Sequence, residues 1–222
     1  MTSTIFVGQI CPLPPSNRPT GMFKAEITGT VPLGPCGLSG DEQADRRVHG
    51  GPEKALHLYP QIHYATLASR FPDAATALVL GAMGENISAP GWDEAQVSIG
   101  DVFRLGSALI QISQPRSPCW KIDDRFSVEG MAQFIAEQRI TGWYFRVLEP
   151  GEVAPGADLL RLERPNASLS LADFLALWAE HRPEPERLLS LADLPGLSPN
   201  WVNKLQDRAQ RLKELGLARK EA

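Results

Sequence analysis

The sequence is poor in cysteine and has no long apolar run. Only three of its 222 residues are cysteine, at positions 11, 36 and 119, and no CxxC pair occurs. An odd number of widely spaced cysteines argues against a disulfide framework and for a reducing compartment. No stretch approaches the roughly 20 apolar residues of a membrane span, and the first residues lack the charged and apolar pattern of an export signal. We therefore expect a cytoplasmic protein with no membrane partner.

The sequence also lacks an excess of positive charge and the common redox motifs. Its 22 basic and 26 acidic residues give a net charge of −4, so we expect no nucleic-acid partner. It contains neither the GxGxxG motif of dinucleotide-binding folds nor an iron–sulfur ligand set. Any anion-binding site must therefore be local and built against the overall charge.

What the chain does contain, from residue 1 to about 165, is a series of short β-branched and aromatic runs separated by glycine and proline. The runs cover residues 3–10, 21–31, 100–113, 142–153 and 157–165. Short strands at regular spacing are typical of a β-barrel or β-sandwich. Apolar periodicity predicts two inserted helices, over residues 60–70 and 127–138. The fold class predicted for this part is mainly β.

The pattern changes after residue 165, where three helices are predicted. Ser170 and Asp173 form a capping-box pattern, a second helix covers residues 185–192, and a third begins at Ser198 with Pro199 in its first turn. We therefore divide the chain into a β domain, residues 1–165, and a helical unit, residues 166–222. The helical unit is too small to hold much core alone. We expect it to dock on the β domain or on a partner, including a twin subunit, and not to be catalytic.

One cysteine has an unusual setting, in the segment SQPRSPCWK at residues 113–121. Cys119 follows two prolines and lies between Arg116 and Lys121. Nearby cations favour the thiolate, which is the nucleophilic and metal-binding form of cysteine. Lone cysteines are usually buried in the core, but these polar neighbours argue against that interpretation here.

A second segment, residues 40–60, gathers basic side chains around a Gly50-Gly51 turn. They are Arg46, Arg47, His49, Lys54 and His57. Such a turn exposes backbone N–H groups and admits a close ligand, so the segment suits a phosphate or oxyanion. A solvated charged loop is the competing interpretation. A third segment, Gly84-Glu85-Asn86, predicts a turn.

These residues do not match a known protease or zinc signature. A cysteine protease needs a paired histidine in a recognisable context, and the histidine spacings are not those of zinc sites. A soft metal held by one protein thiolate, with its other ligands brought by a cofactor, fits better.

The segments GDEQADRRVHGGPEKALHLYP, GEN and SQPRSPCWK, in this order, resemble the MOSC domain, named for the C-terminal domain of molybdenum cofactor sulfurases. The resemblance is closest to the stand-alone bacterial YiiM type, which also has a C-terminal three-helix unit. It implies a MOSC β-barrel that binds the molybdenum cofactor (molybdopterin with Mo), with Cys119 as the metal ligand. It further implies reduction of N-hydroxylated compounds such as 6-hydroxylaminopurine.

The resemblance also implies which residues form the site. The implied cofactor-binding residues are Lys24, Arg46, Arg47, His49, Gly50, Gly51, Arg116 and Ser117. The implied catalytic residues are Cys119, His49 and Asn86, and Glu85 is a further candidate for orienting substrate or relaying protons. Electrons would come from an external reductase, a flavin or iron–sulfur protein. Two rival functions stay open, namely a sulfur carrier or transferase using a Cys119 persulfide and a non-catalytic cofactor-binding module.

Overall fold

The computed structural model describes residues 2–45 and 50–220, with side chains up to residue 216. Within these ranges the chain forms thirteen strands. They are β1 Thr4–Val7, β2 Cys11–Leu13, β3 Arg18–Thr20, β4 Ala25–Glu26, β5 Val31–Gly34, β6 Gly37–Leu38, β7 Leu56–Leu58, β8 Ile87–Ser88, β9 Val102–Leu105, β10 Ala108–Pro115, β11 Trp143–Glu149, β12 Gly151–Val153 and β13 Leu159–Glu163.

Eight of the strands form one large sheet in the order β13-β9-β10-β11-β7-β8-β1-β4. All neighbours pair antiparallel except β7 and β8, which are parallel. The sheet curls into a mixed half-barrel. Gly106, at a φ of +60°, makes the tight turn from β9 to β10. A side chain there would collide with the carbonyl oxygen of Glu152, 2.1 Å from an added Cβ.

Two small sheets complete the β structure. Strands β12, β5 and β6 form one, and the β2–β3 hairpin forms the other. The hairpin contacts the first helix after Cys119 and so lies at one side of the segment predicted to carry the chemistry. The predicted strand over residues 21–31 is shorter in the structure, where it is divided between β4 and the start of β5.

The described residues contain six α-helices. They are α1 Ile62–Arg70, α2 Lys121–Phe126, α3 Met131–Gln138, α4 Leu171–Ala179, α5 Pro185–Ala192 and α6 Pro199–Lys220. Short 3-10 helices cover Pro52–Lys54 and Pro72–Ala77. The helix predicted over residues 127–138 begins four residues later. None of the helices among the described residues is long and apolar enough to cross a membrane.

The C-terminal helices α4, α5 and α6 pack against the large sheet of their own chain. One continuous core combines sheet residues such as Phe103 and Ile110 with Phe174, Trp201 and Leu205 of the helices. The capping box at Ser170 is present in full. The apolar stripes of the helical unit are therefore covered by the β domain, one of the two surfaces expected from the sequence. The boundary at residue 165 stays a prediction.

Backbone hydrogen bonds also tie the helical unit to the sheet. Leu171 N donates to Val97 O at 2.7 Å, and Ser198 N donates to Ser113 O at 2.9 Å. The Ser113 hydroxyl donates in turn to Glu53 O at 2.6 Å. The start of α6 thus contacts β10 two residues before the strand ends. The mainly β fold with inserted helices and a C-terminal helical unit is confirmed.

Candidate functional site

A pocket opens beside the end of β10. Its walls come from five segments that are distant in sequence, around residues 20–24, 41–44, 54–57, 83–86 and 116–121, together with Tyr144. It contains about 600 Å³ of atom-free space, including solvent at its mouth. Lys24, Lys54, Arg116 and Lys121 line it, against the acids Asp41 and Glu42. This basic lining contrasts with the net charge of −4.

Cys119 lines this pocket and is half-buried. The turn that carries it begins where β10 ends, and it is fixed at both ends by backbone hydrogen bonds. Arg116 N donates to Gly142 O, and Ile122 N donates to Cys119 O, each at 3.0 Å. Trp120 and α2 follow directly. The proline-rich segment therefore presents the thiol at a defined place in the pocket.

Arg116 is a deeply buried cation of the pocket, with 7% of its surface exposed. Its Nη2 donates to Met83 O over a long 3.4 Å, and its Nη1 has no partner among the described residues. A buried guanidinium with an unused donor is costly unless an acceptor is bound. Arg116 is therefore suited to hold an anion, and its role as a cofactor-binding residue stays a prediction.

His57, also in the pocket wall, is buried and its Nε2 has no partner among the described residues. Burial lowers the pKa of His57 well below its usual 6.5, and the nearby Arg116 charge lowers it further. The imidazole is therefore neutral at pH 7. The backbone of Gly142 passes close to this nitrogen. A Cβ added at Gly142 would lie 3.3 Å from His57 Nε2.

Lys24, Asp41 and Asn86 form a polar cluster that also lines the pocket. Lys24 Nζ pairs with Asp41 Oδ1, and the two side chains are 5% and 1% exposed. Asn86 Nδ2 donates to Asp41 Oδ2 at 2.9 Å and to Phe6 O at 3.2 Å, while Asn86 Oδ1 accepts from His57 N at 3.1 Å. The pocket thus contains both Lys24 and Asn86, but their polar groups are engaged by the protein itself.

Glu85 lies behind the pocket and is fully buried. Its Oε1 accepts from Tyr64 OH at 2.6 Å and from Gly81 N at 2.7 Å. Burial raises the pKa of this carboxyl despite these two hydrogen bonds. Because the side chain does not line the pocket, Glu85 does not contact a ligand directly.

Two further side chains, Tyr144 and Lys54, line the pocket. Tyr144 was not identified from the sequence, whereas Lys54 belongs to the basic segment that was predicted to suit an anion. Tyr144 is buried, which raises its pKa, although the charge of Arg116 and a hydrogen bond with it lower the pKa in part. Lys54 Nζ lies 5.9 Å from the centre of the Tyr144 ring. Burial lowers the pKa of Lys54, and the charge of Lys204 on α6 adds to this effect. The helical unit thus reaches the electrostatic environment of the pocket.

The other residues that were predicted to bind the cofactor do not line the pocket or lie outside the described residues. Ser117 is exposed and does not line the pocket, and neither do Gly50 and Gly51. Gly51 adopts a φ of +86° before the Pro52–Lys54 turn, as expected of a glycine turn. Arg46, Arg47 and His49 lie outside the described residues.

No group of three or more metal-ligating side chains occurs within residues 2–45 and 50–220. A metal bound at Cys119 by these residues would therefore need other ligands from a cofactor. The pocket offers one thiol, a buried guanidinium with a free donor, and a neutral histidine with an unpartnered nitrogen. This donor set fits an anionic cofactor that brings its own metal ligands.

The comparisons with known proteins agree with this fit. The MOSC domain model matches residues 45–159. The chain is 40% identical to Protein YiiM of Escherichia coli (strain K12) over 198 residues, covering 87% of this chain and 86% of that protein. This chain belongs to the MOSC family and is of the YiiM type.

A solved structure and a second relative extend the comparison. The crystal structure of YiiM from Escherichia coli aligns with a TM-score of 0.79 and 32% identity, over 95% of this chain and 94% of that one. A protein named Reductase from Gibberella moniliformis (strain M3125 / FGSC 7600) is 33% identical over 147 residues, 66% of this chain but 26% of that protein. MOSC domains are associated with the molybdenum cofactor, so membership in the family supports a function linked to this cofactor.

Proposed function

We propose that this protein is a molybdenum cofactor-dependent reductase of small N-hydroxylated compounds, including N-hydroxylated bases and amidoxime-like compounds. The observation that carries the proposal is the placement of Cys119 in a pocket whose buried Arg116 has an unused donor. The YiiM-type sequence and the relative named as a reductase support the same class of chemistry.

In this proposal Cys119 supplies the protein ligand to molybdenum and Arg116 pairs with the negative charge of the molybdopterin. Lys54 and Lys121 add positive charge to the same wall. The pairing of Lys24 with Asp41 makes Lys24 a structural part of the wall, with its charge already balanced. When bound, the cofactor would supply the two-electron chemistry that removes the hydroxyl oxygen from nitrogen.

The overall reaction converts R–NHOH, two electrons and two protons into R–NH₂ and water. In this proposal the electrons come from a separate flavin or iron–sulfur reductase. The half-buried position of Cys119 leaves the site open to a small substrate from the pocket mouth. The neutral His57 is positioned in the wall to donate or accept one hydrogen bond at Nε2.

A direct test uses protein purified from a host that makes the cofactor, with 6-hydroxylaminopurine as substrate and reduced methyl viologen as electron donor. We expect adenine to form, and we expect Cys119→Ser to form none. Benzamidoxime serves as a second substrate and should give benzamidine. A sample that contains molybdenum but forms neither adenine nor benzamidine would contradict the reductase and favour a cofactor-binding module. A labile sulfur atom on Cys119 in metal-free protein would favour a persulfide carrier.

A further inference from the structure

Glu53 and Arg146 form an ion pair beside the basic wall of the pocket. Arg146 Nε donates to Oε1 and Oε2 of Glu53 at 3.2 and 3.1 Å, and Arg146 Nη2 also pairs with Oε2. Arg146 Nη1 donates to Gln111 Oε1 on the neighbouring strand β10 at 2.6 Å. A forked contact between guanidinium and carboxylate fixes direction as well as distance. The pair therefore holds the Glu53 side chain at a defined place on the large sheet.

The pair also fixes the turn that carries Lys54. Glu53 is the middle residue of the 3-10 turn Pro52–Lys54, and Lys54 follows it directly. Tyr144 and Arg146 are two residues apart on β11, so their side chains point to the same face of the sheet. The turn lies across this face, because Glu53 contacts Arg146 and Lys54 Nζ lies 5.9 Å from the centre of the Tyr144 ring. Neighbouring residues of the turn thus contact neighbouring same-face residues of the strand.

The main chain of the turn has an anchor of its own. The Ser113 hydroxyl donates to Glu53 O at 2.6 Å and lies 3.1 Å from Tyr144 O. Ser113 O in turn accepts from Ser198 N, at the start of α6. The side chain and the backbone of Glu53 are therefore both attached to the sheet, and this attachment limits where the next residue can lie.

Lys54 lines the pocket, and its ammonium is there at a cost. Burial lowers the pKa of Lys54, and the charge of Lys204 lowers it further. A lysine side chain is flexible and normally extends its ammonium into solvent. A rigid backbone at Lys54 opposes this tendency, and the attachment of Glu53 supplies that rigidity.

We propose that the Glu53–Arg146 pair is a positioning element for the anion site: it holds the turn on β11 so that the Lys54 ammonium faces an anion bound in the pocket. Neither Glu53 nor Arg146 lines the pocket, so the pair acts through Lys54 and does not contact the ligand. The inference rests on the proposed function in one respect, that the natural anion is the cofactor.

The test measures the binding of inorganic pyrophosphate to the full-length, cofactor-free protein by isothermal titration calorimetry. The double variant Glu53→Gln/Arg146→Gln removes one charge of each sign, so the net charge of the protein is unchanged and the pair alone is lost. Lys54→Met should weaken binding about tenfold or more, as expected when a hydrogen bond to a charged group is lost. We expect the loss of affinity in the double variant to approach that of Lys54→Met.

Combining the double variant with Lys54→Met separates positioning from a general structural effect. If the pair acts through Lys54, its removal should change the affinity of Lys54→Met by less than about twofold, which is within the usual error of additivity. Equal weakening in both backgrounds would overturn the inference, and so would wild-type affinity in the double variant. Arg187→Gln, which breaks an exposed pair with Glu180, is the matched control and should bind pyrophosphate as the wild type does.

Ser113→Ala provides a second variant in case the double variant does not fold, because it removes only one hydroxyl group from the attachment of the turn. It should weaken pyrophosphate binding in the wild-type background but not in Lys54→Met, and unchanged affinity in both would count against the inference. These outcomes do not depend on reductase activity. The expected dependence on Lys54 in a protein that reduces no 6-hydroxylaminopurine would overturn the proposed function alone. Absence of pyrophosphate binding in the wild type would count against both.

Discussion

The buried ammonium of Lys24 pairs with the buried carboxylate of Asp41, and the same carboxylate accepts from Gly8 N at 2.9 Å and from Asn86 Nδ2 at 2.9 Å. The pair joins the segment before β4 to the segment after β6. It therefore forms part of the framework of the pocket wall, and its contribution to stability can be measured separately from cofactor binding.

Lys24→Met should destabilise the fold, because it leaves the Asp41 carboxylate buried without its cation. Breaking a buried ion pair in this way costs about 3–5 kcal/mol. Urea unfolding of the cofactor-free protein measures the free energy of unfolding. Lys213→Met, which removes an exposed pair with Glu186, should stay near the wild-type value. If Lys24→Met has the same free energy of unfolding as the wild type, the ion pair does not stabilise the fold.

Arg116→Gln should weaken cofactor retention while leaving the fold intact. The guanidinium donates to Met83 O over a long 3.4 Å, also interacts with Tyr144, and has an unused donor at Nη1, so its main expected partner is the anion. Loss of a charge-assisted hydrogen bond predicts about 1–3 kcal/mol of weaker binding. Molybdenum and pterin remaining after dialysis measure the effect. Arg182→Gln, on the exposed surface of the helical unit, should retain the wild-type amount, and equal retention in Arg116→Gln would contradict the role.

His57 should make the protein sensitive to mild acid. The pKa of His57 in the folded protein lies below the unfolded value of about 6.5. The full contribution of the neutral ring to the free energy of unfolding is therefore present above about pH 6.5. It is lost as the pH falls from about 6.5 through the folded-state pKa, because the unfolded chain binds the proton more readily. Thermal unfolding from pH 8 to pH 5 should show a smaller loss of stability in His57→Gln than in the wild type. His181→Gln, at an exposed position, should behave as the wild type, and identical pH curves for His57→Gln and the wild type would refute the assignment.

The helical unit should be required for stability, because its core is continuous with that of the sheet. Leu205→Ala, at a fully buried position of α6, should lower the free energy of unfolding by about 2–5 kcal/mol. Leu215→Ala, at an exposed position of the same helix, should change it little. Deleting residues 166–222 should give insoluble or unfolded protein. A soluble, folded truncated protein that binds the cofactor would show that the β domain is independent.

Local sequence signals predicted the parts of the site that depend on one short segment. Cys119 and Arg116 were found because both lie in one polar, proline-rich turn, and the structure places both in the pocket. The C-terminal helices were found because a capping box and proline at N1 are local features. The helix α2 was missed because it is only six residues long, KIDDRF, with too few apolar positions to show a helical period.

The rest of the wall depends on tertiary contacts that no spacing along the chain predicts. Asp41 neutralises Lys24 only because the turn before β4 meets the segment after β6. Tyr144 and His57 reach the pocket because β11 pairs with β7, with these two residues opposite each other. The Glu85 environment arises from helix α1 packing over the loop, which places Tyr64 against it.

The central claim is that Cys119 binds molybdenum through a pterin cofactor, and elemental and pterin analysis of Cys119→Ser tests it most directly. The alcohol stays protonated where a thiol ionises, so the variant should fold normally but contain almost no molybdenum or pterin. The wild type and Cys36→Ser, at an exposed cysteine, should contain about one of each per chain if the site is filled. Wild-type molybdenum content in Cys119→Ser would contradict the account.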